Sequence, residues 1–179
     1  MPNSTSLSRR QFGALAAPAA IIAISPAFSK ASAAPTPAKG EKMMTLTPYL
    51  LFDGSCHDAM QFYQSVFGGQ LTSTKVKDSP AKDHMPASQQ ERTINAHLRS
   101  NSIDISASDW LMPNRIPVRG NTVCLYLSGG TFEELKSVFA KLSDGADITD
   151  PLKEMFFGAY GALNDKFGVR WMFQSNKPS

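Results

Sequence analysis

The sequence predicts an α+β domain in which one order of elements, strand, helix, then three strands, occurs twice. Three observations carry this. Two amphipathic helical stretches, residues 55–67 and 131–142, place apolar side chains at helical spacing and end at Gly68-Gly69 and near Gly145. Each follows a short apolar run and precedes segments that alternate apolar and polar residues, the two copies lying about seventy residues apart. Finally, Met155 to Gln174 (MFFGAYGALNDKFGVRWMFQ) reads as a closing β-hairpin, with Gly158, Gly161 and Gly168 permitting turns or close backbone approach.

Ahead of this domain stands a stretch with the features of an export leader. Ser8-Arg9-Arg10-Gln11-Phe12 precedes a weakly apolar run to Phe28 and a small-residue cleavage pattern, Ala31-Ser32-Ala33. Residues 1–33 therefore read as a twin-arginine signal peptide, and the mature protein as periplasmic or secreted. Pro18, Pro26 and many alanines make the run too short and weak for a membrane span, so no membrane partner is expected after cleavage. The leader holds Arg9, Arg10 and Lys30 and no acid, so its removal leaves 15 basic against 15 acidic side chains and cancels the formal charge of +3. This balance gives no support for phosphate-backbone binding, which needs a clustered basic face, so nucleic acid is not a favoured partner. Residues 34–44, with Pro35, Pro37 and Gly40, have the composition of a flexible linker. The folded domain is expected over residues 45–176, long enough for one core, with modules at about 45–109 and 121–174.

In the first module, Thr45 to Phe52 is a short apolar strand entered from Pro48, and Asp53 or Ser55 is available to cap the helix. Phe62, Val66 and Phe67 form its core stripe, and His57, in its first turn, reads as a surface residue. A strand over residues 70–77 leads into a long polar loop, 78–91, that carries His84, read as solvated. Residues 92–99 then alternate: Ile94, Ala96 and Leu98 on one face, Asn95 and His97 on the other. Residues 103–108 repeat the device, with Ile103, Ile105 and Ala107 opposed to Asp104, Ser106 and Ser108, so two polar strand faces coincide.

The second module follows a proline-containing linker, residues 110–120. A strand over 121–127 presents Val123, Leu125 and Leu127 on one side and Thr122, Cys124 and Tyr126 on the other. Thr131 caps the second helix, with Glu133 and Glu134 in its first turn and Phe132, Leu135, Val138, Phe139 and Leu142 as its core stripe. A short strand, 146–150, is expected to stop at Pro151, and strands over 160–163 and 169–174 form the hairpin, joined by Asn164 to Gly168.

The wording of three segments adds a resemblance. F-F-G-x-Y-G-x-x-x-D-K-F-G-x-x-W in the closing hairpin, Tyr49 to Gly69 (YLLFDGSCHDAMQFYQSVFGG) and Ile103 to Asp109 (IDISASD) together resemble the PhnB-like branch of the vicinal oxygen chelate superfamily, the glyoxalase and bleomycin-resistance fold. The resemblance covers roughly residues 45 to 174. It implies that the two βαβββ modules curl into a cup of largely antiparallel strands with the helices outside. It also implies homodimers, which are common in this fold. Where the family usually has His-Ala-x-Leu, this chain has Asn95-Ala96-His97-Leu98, an imidazole displaced by two positions along one strand face.

Metal enzymes of the superfamily draw His, Glu or Gln ligands from the first and last strand of each module. The matching positions here hold Thr47 or Pro48, Ser106 or Ser108, Thr122, and Met172, which offer no charged oxygen or imidazole donors. A pocket without metal or other cofactor is therefore expected. Cys56 and Cys124, one in each module, could pair in an oxidising compartment, and are read as free. The expected pocket lies inside the cup, lined by Asn95, His97, Ser106, Ser108, Thr122, Cys124 and Tyr126, with Phe157 and Tyr160 at its rim. Two functions remain open. One is an enzyme on a small polar molecule, with His97 or Tyr126 as acid–base group. The other is a binding or sequestering protein, as resistance proteins of this fold are. Members of the branch are also labelled methyltransferases, but no glycine-rich nucleotide loop follows a strand here.

Overall fold

The computed structural model describes residues 44–112 and 118–175, and Met44 onward forms one compact unit. The leader, most of the linker before the domain, and positions 113–117 between the modules lie outside the described residues. Module one comprises β1 (Tyr49–Phe52), α1 (Cys56–Phe67), β2 (Gln70–Lys75), β3 (Thr93–Arg99) and β4 (Asp104–Asp109). Module two repeats the order as β5 (Leu125–Ser128), α2 (Phe132–Leu142), β6 (Asp147–Met155), β7 (Gly158–Asn164) and β8 (Arg170–Gln174). Each module makes a four-stranded mixed sheet, ordered β1-β4-β3-β2 and β5-β8-β7-β6. The first strand of each pairs in parallel with the last, and every other pairing is antiparallel. Identical orders in the two sheets are what an internal duplication implies. The two sheets do not close on each other: β1 and β5 are both edge strands.

Alternation places the core as expected. Ala96 and Leu98 of β3 and Ile105 and Ala107 of β4 are buried beneath α1, which contributes Ala59, Met60 and Tyr63. In the second sheet Leu163, Trp171 and Phe173 are buried with Leu135, Phe139 and Leu142 of α2. These residues belong to one apolar cluster that runs through both modules. Gly161 is required where β7 passes beneath α2. A Cβ there would sit 2.9 Å from Leu152 Cα and 3.1 Å from Phe139 Cε2, closer than packed carbons tolerate.

Three local expectations are corrected. β5 starts at Leu125 rather than at residue 121, so Thr122 and Val123 precede the sheet, and Val123 is 80% exposed instead of lying under a helix. β6 does not stop at Pro151 but runs through it to Met155. It is an edge strand with register shifts on both sides of the proline, where a missing N–H costs no ladder bond. Neither Asp53 nor Ser55 caps α1. The Ser55 side chain makes no cap bond, Asp53 pairs with Arg92 at 2.8 Å, and the Cys56 N–H at the helix start donates to Asp109 Oδ1 at 3.0 Å. The long loop after β2 contains three short 3-10 turns, Val76–Asp78, Pro80–His84 and Ala87–Gln89. The α2 cap is as expected: Thr131 Oγ1 accepts from the Glu134 N–H at 3.2 Å while Glu134 Oε2 accepts from the Thr131 N–H at 2.7 Å.

Both cysteines are free thiols, Cys56 buried and Cys124 half-buried. Burial first, and the Asp109 charge second, push the Cys56 thiol up to about 12 from its ordinary 9.0, the neighbouring Thr93 opposing them. The folded value lies above the unfolded one, so this stabilisation is complete below pH 9.0 and is lost as pH rises toward 12. Each unit of that interval costs about 1.4 kcal/mol. The melting temperature of Cys56→Ala is therefore expected to fall less steeply above pH 9 than that of the parent. Parallel alkaline slopes in the two proteins would refute the assignment.

Candidate functional site: the cleft between the two sheets

The polar faces anticipated from alternation are real, but they divide between the two sheets. On the first sheet, Tyr49 of β1 is in register with Ser106 of β4, and Ser106 with His97 of β3, so the three side chains form a row on the face opposite α1. Thr72 of β2 continues it. His97 Nε2 lies 2.7 Å from Asp104 Oδ1, and Arg99 Nε lies 3.1 Å from Asp104 Oδ2. The hydrogen bond with His97 holds the Asp104 carboxyl below its usual range, the Arg99 charge helping and desolvation opposing. Asn95, one turn of the pleat away, is exposed, and Ser108 is nearly buried beside Leu51.

On the second sheet, Tyr126 is half-exposed and its hydroxyl donates to Gln174 Oε1 at 3.0 Å. Gln174 is in register with Tyr160, whose ring packs edge-on against Phe157 with centroids 6.4 Å apart. Tyr126, Tyr160 and Phe157 are thus gathered around Gln174, apart from the His97 row. Thr122 joins neither group; it is exposed ahead of β5.

Between the sheets runs a cleft bounded by the edge strands β1 and β5. One part, about 250 Å³, is lined by Tyr49, Leu51, Cys124 and Leu125 together with Arg119 and Arg170. Another, about 190 Å³, is lined by Pro48, Asp104, Tyr126 and Leu127, with Trp171 beneath. Of the nine side chains expected to form the pocket, Cys124 and Tyr126 border these two cavities. Tyr49, Asp104, Arg119 and Arg170 were not among the nine. Asp104 shares the polar face of Ser106 and could have been found by alternation. Arg119 and Tyr49 carry no such signal, because the first lies in a linker and the second in an unbroken apolar run.

The donors do not suit a metal. No three of His, Cys, Asp and Glu converge among the described residues. At the expected ligand positions, Thr47 or Pro48, Ser106 or Ser108, Thr122, and Met172, stand hydroxyls, a proline and a thioether, and a hard divalent ion is not held by such a set. The glycine pair after β5, Gly129-Gly130, leads directly into the Thr131–Glu134 capping box.

Two curled four-stranded sheets with outer helices and a cleft between them define the glyoxalase/bleomycin-resistance/dioxygenase fold, and a domain of that description from Frankia sp. superposes with TM-score 0.53 at 13% identity, covering 76% of this chain and 95% of its own. Residues 44–174 match the family model described as 3-demethylubiquinone-9 3-methyltransferase, and the chain belongs to that family. Protein YjdN of Escherichia coli is 32% identical over 139 residues, 72% of this chain and 93% of YjdN. Among solved structures, protein PA1353 from Pseudomonas aeruginosa has TM-score 0.65 and 29% identity, over 76% of this chain and all of its own. A Bacillus cereus protein described as a putative 3-demethylubiquinone-9 3-methyltransferase, PhnB protein, has TM-score 0.60 and 27% identity, over 74% of this chain and 99% of its own.

Proposed function

We propose that this protein binds a small organic molecule in the cleft between β1 and β5 and acts on it with His97 as acid–base group. The observation that carries this reading is the row Tyr49–Ser106–His97, which leads from a cleft-lining side chain to an imidazole anchored by Asp104 at 2.7 Å. A carboxylate on Nε2 orients the ring and leaves Nδ1 to exchange a proton with a ligand lying over β4. Asn95, Ser106 and Ser108 supply orienting polar groups. Tyr126 and Cys124 border the ligand from the second module. Neither a metal nor a methyl donor takes part in this reading.

A second reading, a non-catalytic binding or sequestering protein, is favoured by one feature. Asp104 holds His97 and Arg99 together, so the imidazole also serves as a cross-strand tie. The two are separated by His97→Gln and Tyr126→Ala. Ligand extracted from native protein is identified by mass spectrometry and tested for turnover. Under the first reading, His97→Gln abolishes turnover and retains affinity within about tenfold, whereas Tyr126→Ala weakens affinity with little change in melting. Variants that chiefly unfold, or a His97→Gln variant that turns over normally, overturn it. The reading extends to an exported homodimer, supported by the Arg9-Arg10 leader and by the exposed edge strands β1 and β5. A full-length cytoplasmic chain, or a monomer mass by light scattering, would remove that extension.

A further inference from the structure

The side chain of Arg170, half-buried on β8, makes no hydrogen bond or ion pair among the described residues, yet it borders the larger of the two cleft cavities. Arg119 borders the same cavity and is held there. Its Nη2 donates to the Leu51 carbonyl at 3.2 Å, and its guanidinium lies 5.0 Å from the centre of the Phe52 ring. Four of its five N–H groups therefore have no acceptor among the described residues, and no acidic side chain among them lines the cavity. The acids nearby are committed elsewhere. Asp165, close enough for its charge to act on Tyr63 alongside that of Arg119, is buried under four donors. Asp147 accepts from Asn164 Nδ2 at 3.1 Å, and Asn164 is the residue in register with Arg170.

Arg119 and Arg170 thus bring two cationic side chains to the lining of one small cavity, and like charges gathered at one site favour an anion there. We propose that this end of the cleft is an oxyanion subsite, which takes a carboxylate or phosphate group carried on a compact apolar body. The oxyanion is held by Arg170 and Arg119, whose planar forks match either group, and the body lies against Tyr49, Leu51 and Val123. Tyr49 and Val123 are 52% and 80% exposed, an apolar wall left open to solvent. The inference rests on the cleft being the ligand site and adds the charge class of the ligand.

The test is calorimetric titration of benzoate, phenyl phosphate and neutral benzamide into the full folded domain, its Arg170→Gln variant and its Arg119→Gln variant. Both anions are expected to bind at least tenfold more tightly than benzamide, the tighter of the two identifying the headgroup. Arg170→Gln is expected to lose that tenfold preference at unchanged melting temperature, because the side chain supports nothing else. Arg119→Gln should lose it as well, with some loss of stability from the Phe52 contact. Benzamide binding as tightly as benzoate overturns the subsite while leaving the cleft as a ligand site. Anion binding retained in Arg170→Gln, or no anion binding to the parent at millimolar concentration, overturns it too, the His97 reading being decided by its own experiment.

Discussion

Replacing Asp165 by alanine is expected to cost about 4 kcal/mol or more of stability, a large fraction of what a domain of this size possesses. The side chain is 4% exposed and is the common acceptor for four donors. Oδ2 receives the Tyr63 hydroxyl at 2.7 Å and the Trp171 indole N–H at 2.8 Å, while Oδ1 receives the N–H groups of Phe167 at 2.9 Å and Val169 at 3.0 Å. Alanine strands all four donors, each worth roughly 1–3 kcal/mol when buried without a partner, although such losses do not add fully. Two of the four shape the β7–β8 turn, so the hairpin loses its geometry as well. Urea titration of the purified variant is the measurement, with Tyr63→Phe beside it. Removing that one hydroxyl leaves three donors satisfied and should cost only about 1–2 kcal/mol. If Asp165→Ala unfolds within 1 kcal/mol of the parent, the carboxylate is not the organising group described here.

Asp109→Ala is the second large effect, about 3 kcal/mol. Asp109 is 3% exposed at the end of β4 and bridges two backbone donors, the Cys56 N–H that begins α1 at 3.0 Å and the Thr93 N–H that begins β3 at 2.8 Å. It supplies the cap that Ser55 does not, and its negative charge sits at the positive end of the helix dipole. Asn at this position keeps one acceptor and turns an N–H₂ toward the other donor, so Asp109→Asn is expected to recover less than half of the loss. Thermal melts monitored by far-ultraviolet circular dichroism, with helix content read separately, distinguish this from general destabilisation. A Ser55→Ala variant as damaging as Asp109→Ala would contradict it.

Those two residues mark the boundary of what the sequence makes legible. Alternation identified the faces of β3 and β4, and helical spacing identified the stripes of α1 and α2, because burial on one side imposes a period on neighbouring residues. The glycines of the last hairpin were legible for the same local reason. Asp109 caps a helix 53 residues earlier in the chain, and Asp165 meets a tyrosine 102 residues away, so no local window contains either partnership. Pro151 misled because proline forbids a central strand and not an edge strand, and which strand lies at the edge is a property of the finished sheet. The site divides in the same way. His97 and Ser106 were found from their own strands, whereas the cleft with Arg119 and Arg170 exists only where two separately predictable sheets approach without joining.

The aromatic face of α1 has a kinetic meaning. Tyr63 packs edge-on against Trp171 and Phe167, and Phe67 stacks on Trp171, so a helix encoded in the first half of the chain finds its partners in the last strands. During synthesis the first module leaves the ribosome with this face bare, and closing a loop of such length precedes any reward from the contacts it brings. The nascent half is therefore the adhesive form of this protein. What ends that interval is the docking of the Asp165 turn and the strands it joins, which cover the aromatic face of α1.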